Sequence, residues 1–369
     1  MNEGDKLYKK DTKGKIRVWW IEYDEEKYRT HSGIDGGKIV TSGWIYCEEK
    51  NTGKANRTSV KQQVKLEVSA EYEKKLNQGK YHKSLEDVER GAKFVEPMLA
   101  QKYNAKKDID FPYYSNPKLD GIRCIASKDK LQTRNGKDIV SCGHIEKTLQ
   151  RFFNRYPDVV LDGELYNNEY KHDFEKIVSL VRKTKLKDDD ITEIKKMVEY
   201  HIYDVVSDKK YDARYSFIVE ELSGISPSIK IIECNTVNNE EDIQNFLDKY
   251  LKAGYEGQML RNVSYPYEHK RSKSLIKHKT FEDEEAKIVD VLEGQGNWAG
   301  YAKSLIVELE DGTQQQSGMR GNFEKNKKVL DIKDQLIGTE VTVRHQGKTK
   351  EGKMRFPIVV NFWYKERDM

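Results

Sequence analysis

Apolar and polar residues alternate early in the chain. "KIRVWWIEYD" and "KIVTSGWIYCEE" follow the period of half-buried strands. The glycines of "IDGGK" between them signal a turn. "TSVKQQVKLEVSAEYEKKLNQG" then switches to helical spacing, with Thr58 or Ser59 as its cap and Gly79 as its stop. Residues 1–85 thus read as a small α+β domain, strands first and one helix after. A second block, 86–281, interleaves both periods. "GIRCIAS", "LQTRNG", "VVLDGELY" and "EYHIYDVV" are strand-like. "HIEKTLQRFFNRYP", "FEKIVSLVRKT" and "EEDIQNFLDKYLKAG" are helical, the first stopped by Pro157 and the last by Gly254. Mixed elements of this kind make an α+β domain. Residues 282–369 change again, to short strands ("EAKIVDVLEG", "SLIVELEDG", "TEVTVRHQG", "RFPIVVNFW") between Gly-bearing turns. That spacing predicts a small closed or nearly closed β-barrel.

Composition narrows this picture only a little. The 369 residues suffice for two or three domains. Charged residues make up 35% and nearly cancel to +4, a weak argument for a polyanionic partner. The 22 Tyr and 5 Trp suit nucleic acid and an ordinary core equally. Cys47, Cys124, Cys142 and Cys234 are scattered without a CxxC pair, which disfavours a zinc finger and predicts free thiols. The first thirty residues lack a signal-peptide pattern, and no apolar run is long enough to span a bilayer. The expectation is a soluble cytoplasmic protein, monomeric and without a membrane partner.

Chemistry enters at "NPKLDGIR". Pro117 stiffens the chain just ahead of Lys118, which is presented from a strand end. "LDGEL" sets Asp162 and Glu164 two apart, on one strand face. "YEGQMLR" holds Glu256, and "LIKHK" sets Lys277 and Lys279 on one face. In "LQTRNGKDI", Asn135-Gly136 is a hairpin signal that leaves Arg134 at a strand end. Taken singly, each string is an ordinary turn or a solvated face.

Taken in order, "KLDGIR", "LDGEL", "YEGQMLR" and "LIKHKTFEDEEA" resemble the motif set of ATP-dependent DNA ligases of the viral and phage type, within the covalent nucleotidyltransferase superfamily. The resemblance spans roughly residues 93–369. It implies an adenylylation domain followed by an OB-fold domain, ATP as AMP donor, Mg2+ or Mn2+, and nicked duplex DNA as partner. Roles in DNA replication, repair and recombination would follow. By resemblance, Lys118 accepts AMP. Arg123 contacts the ribose and the 5′-phosphate of the nick, and Arg134 contacts that same phosphate. Glu164 binds ribose or metal, and Glu256 binds metal. Lys277 and Lys279 hold the α-phosphate. Tyr203 stacks on adenine, and Asn116 reads the adenine edge. Arg355, in "RFP", orients pyrophosphate, while the barrel closes over ATP and then clamps DNA. "VVNFWYKERD" is leaner in basic residues than the family's tail, leaving Lys365 and Arg367 without a clear role.

The residue types fit the reaction. A phosphoramidate forms from a neutral amine, whereas free lysine, with a pKa of about 10.4, is protonated at pH 7. Neighbouring cations and a divalent ion favour the neutral form and stabilise charge on the phosphates. An RNA ligase or an mRNA-capping nucleotidyltransferase would use the same lysine chemistry; "FEDEEAKIVDVLEG" with a full barrel behind it favours the DNA ligase. A short chain without a four-cysteine module disfavours an NAD-dependent ligase. A non-catalytic DNA-binding protein on this fold would not need Lys118, Glu164, Glu256 and Lys277 together. In the first domain, "GKANRTSVKQQ" and the strand-then-helix order resemble a WGR-like nucleic-acid-binding module. A structural or protein-docking appendage is the alternative there.

Overall fold

The computed structural model describes residues 2–11, 13–90, 94–105, 109–170, 173–349 and 351–363. Lys365 and Arg367 lie outside the described residues. Two compact units form, one from residues 1–91 with 281–369, the other from residues 92–280.

In the first unit, an antiparallel sheet is built around the long strands Ile16–Tyr23 and Lys27–Ile34. Helix Val60–Gln78 packs across it, and its caps are those its sequence predicts. The Ser59 side chain accepts from the Gln62 N–H, Gln62 reaches back to the Ser59 N–H, and Gly79 ends the helix. Val60, Val64, Val68, Tyr72 and Leu76 recur every four residues and pack on Leu7, Trp19 and Ile21. Three features depart from the sequence reading. "KIVTSGWIYCEE" divides into Ile39–Thr41 and Ile45–Tyr46, because the Ser42 hydroxyl accepts the Thr30 N–H and interrupts the ladder. Strand Lys27–Ile34 is not legible, since "KYRTHSGI" has too few apolar positions to show alternation. A short helix, Leu85–Arg90, follows the long one.

The carboxyl-terminal part of this unit is the closed barrel expected. Its circuit runs Glu282–Glu293, Ala302–Glu308, Gln314–Met319, Ile358–Phe362, Glu340–His345 and back to the first strand. Strand Gln314–Met319 departs from the expected set, because "QQQSGM" buries only Ser317 and carries no apolar period. It pairs parallel with Ile358–Phe362.

The second unit holds two five-stranded sheets. One runs Leu131–Thr133, Ile122–Ala126, Leu161–Tyr166, Glu199–Val205, Ile229–Ile231. The other runs Asn235–Val237, Tyr113–Pro117, Gly257–Asn262, Arg271–Lys279, Leu99–Lys102. Helix Gly143–Arg155 covers the first sheet with Ile145, Leu149, Phe152 and Phe153, all buried. Each such side chain stabilises the fold by about 1.5–3 kcal/mol. Helix Glu240–Lys252 packs beside the second sheet with Ile243 and Phe246. Helices Phe174–Val181, Asp188–Met197 and Tyr211–Leu222 pack into the same core as Gly143–Arg155. The turn at Asn135-Gly136 forms, with Gly136 at φ +78°, but its return arm is a single bridge, Gln132–Asp138, rather than a strand.

Candidate active site

Tyr113–Pro117 belongs to one sheet and Ile122–Ala126 to the other. The four residues between them, Lys118-Leu119-Asp120-Gly121, cross from sheet to sheet. Lys118 is thereby fixed at the junction, its N–H donating to the Gly257 carbonyl at 2.9 Å. Two glycines make the crossing possible. A Cβ on Gly121 would lie 2.4 Å from the Leu165 carbonyl oxygen, and one on Gly257 would lie 2.2 Å from that of His278.

A cleft of about 360 Å³ opens at this junction. Asn116, Lys118, Arg123, Arg134, Glu164, Tyr203, Lys277 and Lys279, distant in sequence, all line it. Glu256 completes the set: its carboxylate is bonded to both the Lys118 and the Lys279 ammonium groups. Burial works to raise the Glu256 carboxyl, and the two ammonium groups outweigh it, holding it below the usual carboxylate range. Lys279 is lowered by burial and by Lys118, against the pull of Glu256. Lys277 is lowered by burial and by the charges of Lys118, Arg271 and Lys102. The cleft wall is therefore strongly cationic, suited to a triphosphate.

Arg123 is held rigidly. Its Nε donates to the wholly buried Asp162 at 2.8 Å, and the Tyr267 hydroxyl donates to the same carboxylate at 2.7 Å. Asn116 is buried, its amide 3.7 Å from Cys234 Sγ. Tyr203 has the Arg123 guanidinium 5.8 Å from its ring centroid and that of Arg261 at 4.7 Å. Arg134 stands exposed and lines the cleft from the Asn135-Gly136 turn. Arg355 belongs to the other unit, where its N–H donates to the Gly347 carbonyl at 2.9 Å.

Two cleft residues escape a reading of the sequence. Arg261 closes the string "YEGQMLR" and shares the strand face of Met259, so a period-2 signal is present. It is 4% exposed, donates to Asp204 at 3.0 Å, and its Nε has no partner among the described residues. Arg271 begins the strand that ends in Lys277 and Lys279; six residues from the nearer lysine, it carries no sequence signal of its own.

Burial pushes the Glu164 carboxyl up to about 7 despite Lys118 and Arg123. The unfolded chain loses this proton near pH 4.5. Between those values the folded state holds a proton that the unfolded state has released, so the contribution of Glu164 to stability falls as pH rises, levelling off above about pH 7. Melting temperatures of the parent and Glu164→Gln, followed from about pH 5 to about pH 8, are expected to differ by a pH-dependent amount that grows through this window.

A cationic cleft between two sheets, a lysine at their junction and a following five-stranded barrel define a nucleotidyltransferase domain with an OB-fold domain behind it. Residues 97–279 match the family model of the ATP dependent DNA ligase domain, and residues 293–362 that of the DNA ligase OB-like domain. The DNA ligase of Haemophilus influenzae is 25% identical over 273 residues, covering 73% of this chain and 92% of that protein. The DNA ligase of Enterobacteria phage T4 is 23% identical over 329 residues, covering 71% of this chain and 67% of that one. A solved structure from a study of Lig E DNA ligases, described as binding DNA with a minimal scaffold, is 26% identical. It superposes with a TM-score of 0.62 over 73% of this chain and 100% of its own. The chain belongs to the ATP-dependent DNA ligase family. It is an enzyme that uses ATP to join DNA, and the family's general route runs through a lysyl-AMP intermediate. Among the described residues no helix is long and apolar enough to cross a membrane.

Proposed function

We propose that this enzyme seals 3′-hydroxyl/5′-phosphate nicks in duplex DNA, with Lys118 as the residue that carries AMP. The observation that carries the reading is Lys118 at the junction of two sheets, sharing Glu256 with Lys279 inside a cationic cleft. The ion pair to Glu256 opens, Lys118 gives up a proton to become a neutral amine, and its Nζ attacks the α-phosphorus of ATP. The N–P bond forms as the bond to pyrophosphate breaks, and the amine loses a second proton. AMP then passes to the 5′-phosphate of the nick, and the 3′-hydroxyl attacks that phosphate and expels AMP. Lys277 and Lys279 hold the α-phosphate, Tyr203 stacks on adenine, and Asn116 contacts its edge. Arg123, held by Asp162, and Arg134 receive the 5′-phosphate, and Arg355 orients the pyrophosphate.

Glu164 and Glu256 are the carboxylates that would hold a divalent ion. Among the described residues no group of three metal-ligating side chains stands together. That donor set fits Mg2+, which is commonly bound by one or two carboxylates plus substrate phosphates. When bound, the ion would neutralise charge on the phosphoryl oxygens.

The test is incubation with magnesium and α-labelled ATP, GTP or NAD. Label should enter the chain from ATP and chase onto nicked duplex. Label from GTP alone would make the enzyme a capping-type nucleotidyltransferase. No label from any nucleotide would leave a DNA-binding protein on this fold.

A further inference from the structure

The amino-terminal part of the chain carries a cluster of cations that the ligation reaction does not use. Lys9 and Arg17 are directly opposite one another on adjacent antiparallel strands. Like charges in that position repel. Lys75, in the last turn of helix Val60–Gln78, comes to the same place. Its Nζ lies 5.1 Å from the Trp19 ring centroid and 5.2 Å from that of Tyr81. Lys9 Nζ lies 4.9 Å from the same Tyr81 ring. Both rings are buried, so they fix the ammonium groups in position. Arg17 sits against the Tyr81 hydroxyl, and the charge of Lys80, just after the helix, reaches Lys9.

No carboxylate pairs with these three cations: among the described residues, no ion pair joins Lys9, Arg17 or Lys75 to an acid. Asp11 and Glu71, the acids whose charges reach Lys9 and Lys75, are already engaged. Asp11 accepts the N–H groups of Lys13 and Lys15, and Glu71 pairs with Lys74. The carbonyl end of the helix offsets part of the repulsion, but its contact is long, Lys9 Nζ to the Gly79 carbonyl at 3.5 Å. Burial and mutual repulsion lower both Lys9 and Lys75. Fixed, half-buried cations around one aromatic floor call for an external anion. The arginine supplies a planar fork for phosphate and the lysines supply point charges.

We propose that Lys9, Arg17 and Lys75 form a phosphate-binding site for backbone phosphates of the DNA substrate. The site adds affinity for the duplex and takes no part in the chemistry. This inference rests on the DNA-joining activity, and self-adenylylation, which needs no DNA, separates its failure from a failure of that reading.

The test uses the full chain and a nicked duplex with a non-ligatable 3′ end, with binding measured by fluorescence anisotropy across a salt series. In K9Q/K75Q and in R17Q, affinity at physiological salt should fall about tenfold. The slope of log K against log salt should shrink by about 0.9 for each phosphate that is no longer neutralised. K9R/K75R, which keeps the charges, should retain the slope. Self-adenylylation should match the parent, and the melting temperature should hold or rise as repulsion is relieved. Unchanged affinity and slope in both glutamine variants would overturn the proposal. So would a salt-independent loss accompanied by a lower melting temperature, which would make the cluster a helix cap.

Discussion

Lys118→Ala is expected to abolish self-adenylylation while leaving the sealing of a pre-adenylylated nick. The amine is the atom that forms the bond to phosphorus, and no neighbour can replace it. Lys277 and Lys279 line the same cleft, but both sit on the strand Arg271–Lys279 of the second sheet and not on the crossing segment. Lys118 stands on the crossing segment, where its N–H is bonded to Gly257. Removing a nucleophile of this kind costs on the order of 10⁶-fold in turnover, so the first step should fall below detection. Sealing a nick that already carries AMP requires only the last attack, by the 3′-hydroxyl, and bypasses the lost bond. Loss of both activities in a folded variant would make Lys118 a residue of the whole site rather than the AMP acceptor.

The largest effect on stability is expected from Asp204→Ala. Asp204 is wholly buried and accepts from Arg214 Nε at 2.7 Å, from Arg214 Nη2 at 3.1 Å and from Arg261 Nη1 at 3.0 Å. Arg214 has further acceptors in the carbonyls of Lys209 and Tyr265. The Arg261 guanidinium relies on Asp204, and its charge would face Arg214 without the carboxylate between them. Breaking a buried ion pair by removing one partner costs about 3–5 kcal/mol. In a unit of this size that lowers the melting temperature by roughly 10 °C. Asp204→Asn, which keeps an acceptor oxygen, should lose less. Asp283→Ala provides the contrast: its partner Arg344 is 44% exposed, and such surface pairs contribute at most about 1 kcal/mol. Equal melting temperatures for Asp204→Ala and Asp283→Ala would contradict this account. Arg261 also lies over the Tyr203 ring, so the same substitution should weaken ATP use by whatever protein remains folded.

Local signals are the easiest to read. The helix Val60–Gln78 carries its own caps, and its limits follow from Ser59, Gln62 and Gly79 without reference to the rest of the fold. The barrel strands with apolar alternation are legible, while Gln314–Met319 is not, because its pairing depends on neighbours on either side and not on its own pattern. Within the cleft, Lys118, Glu164, Glu256, Lys277 and Lys279 stand in ordered strings that single them out. Arg261 ends one of those strings, but nothing in the string gives it a role. A charged residue interrupting the apolar run "HIYDVV" is a sign of a buried pair, yet the partners of Asp204 lie 10 and 57 residues away, and only the folded sheets bring them together. The cation cluster at Lys9, Arg17 and Lys75 is hidden for the same reason, since a strand register and a helix end have to meet before those charges become neighbours.

The central claim is that AMP is carried on Lys118. It is tested most directly by digesting the self-adenylylated enzyme with trypsin at neutral pH and locating the adduct by mass. Modification of Lys118 blocks cleavage after it, so the account predicts AMP on the uncut peptide of residues 108–123, whose only lysine is Lys118. AMP on a peptide containing Lys277 or Lys279, with cleavage after Lys118 intact, would contradict it.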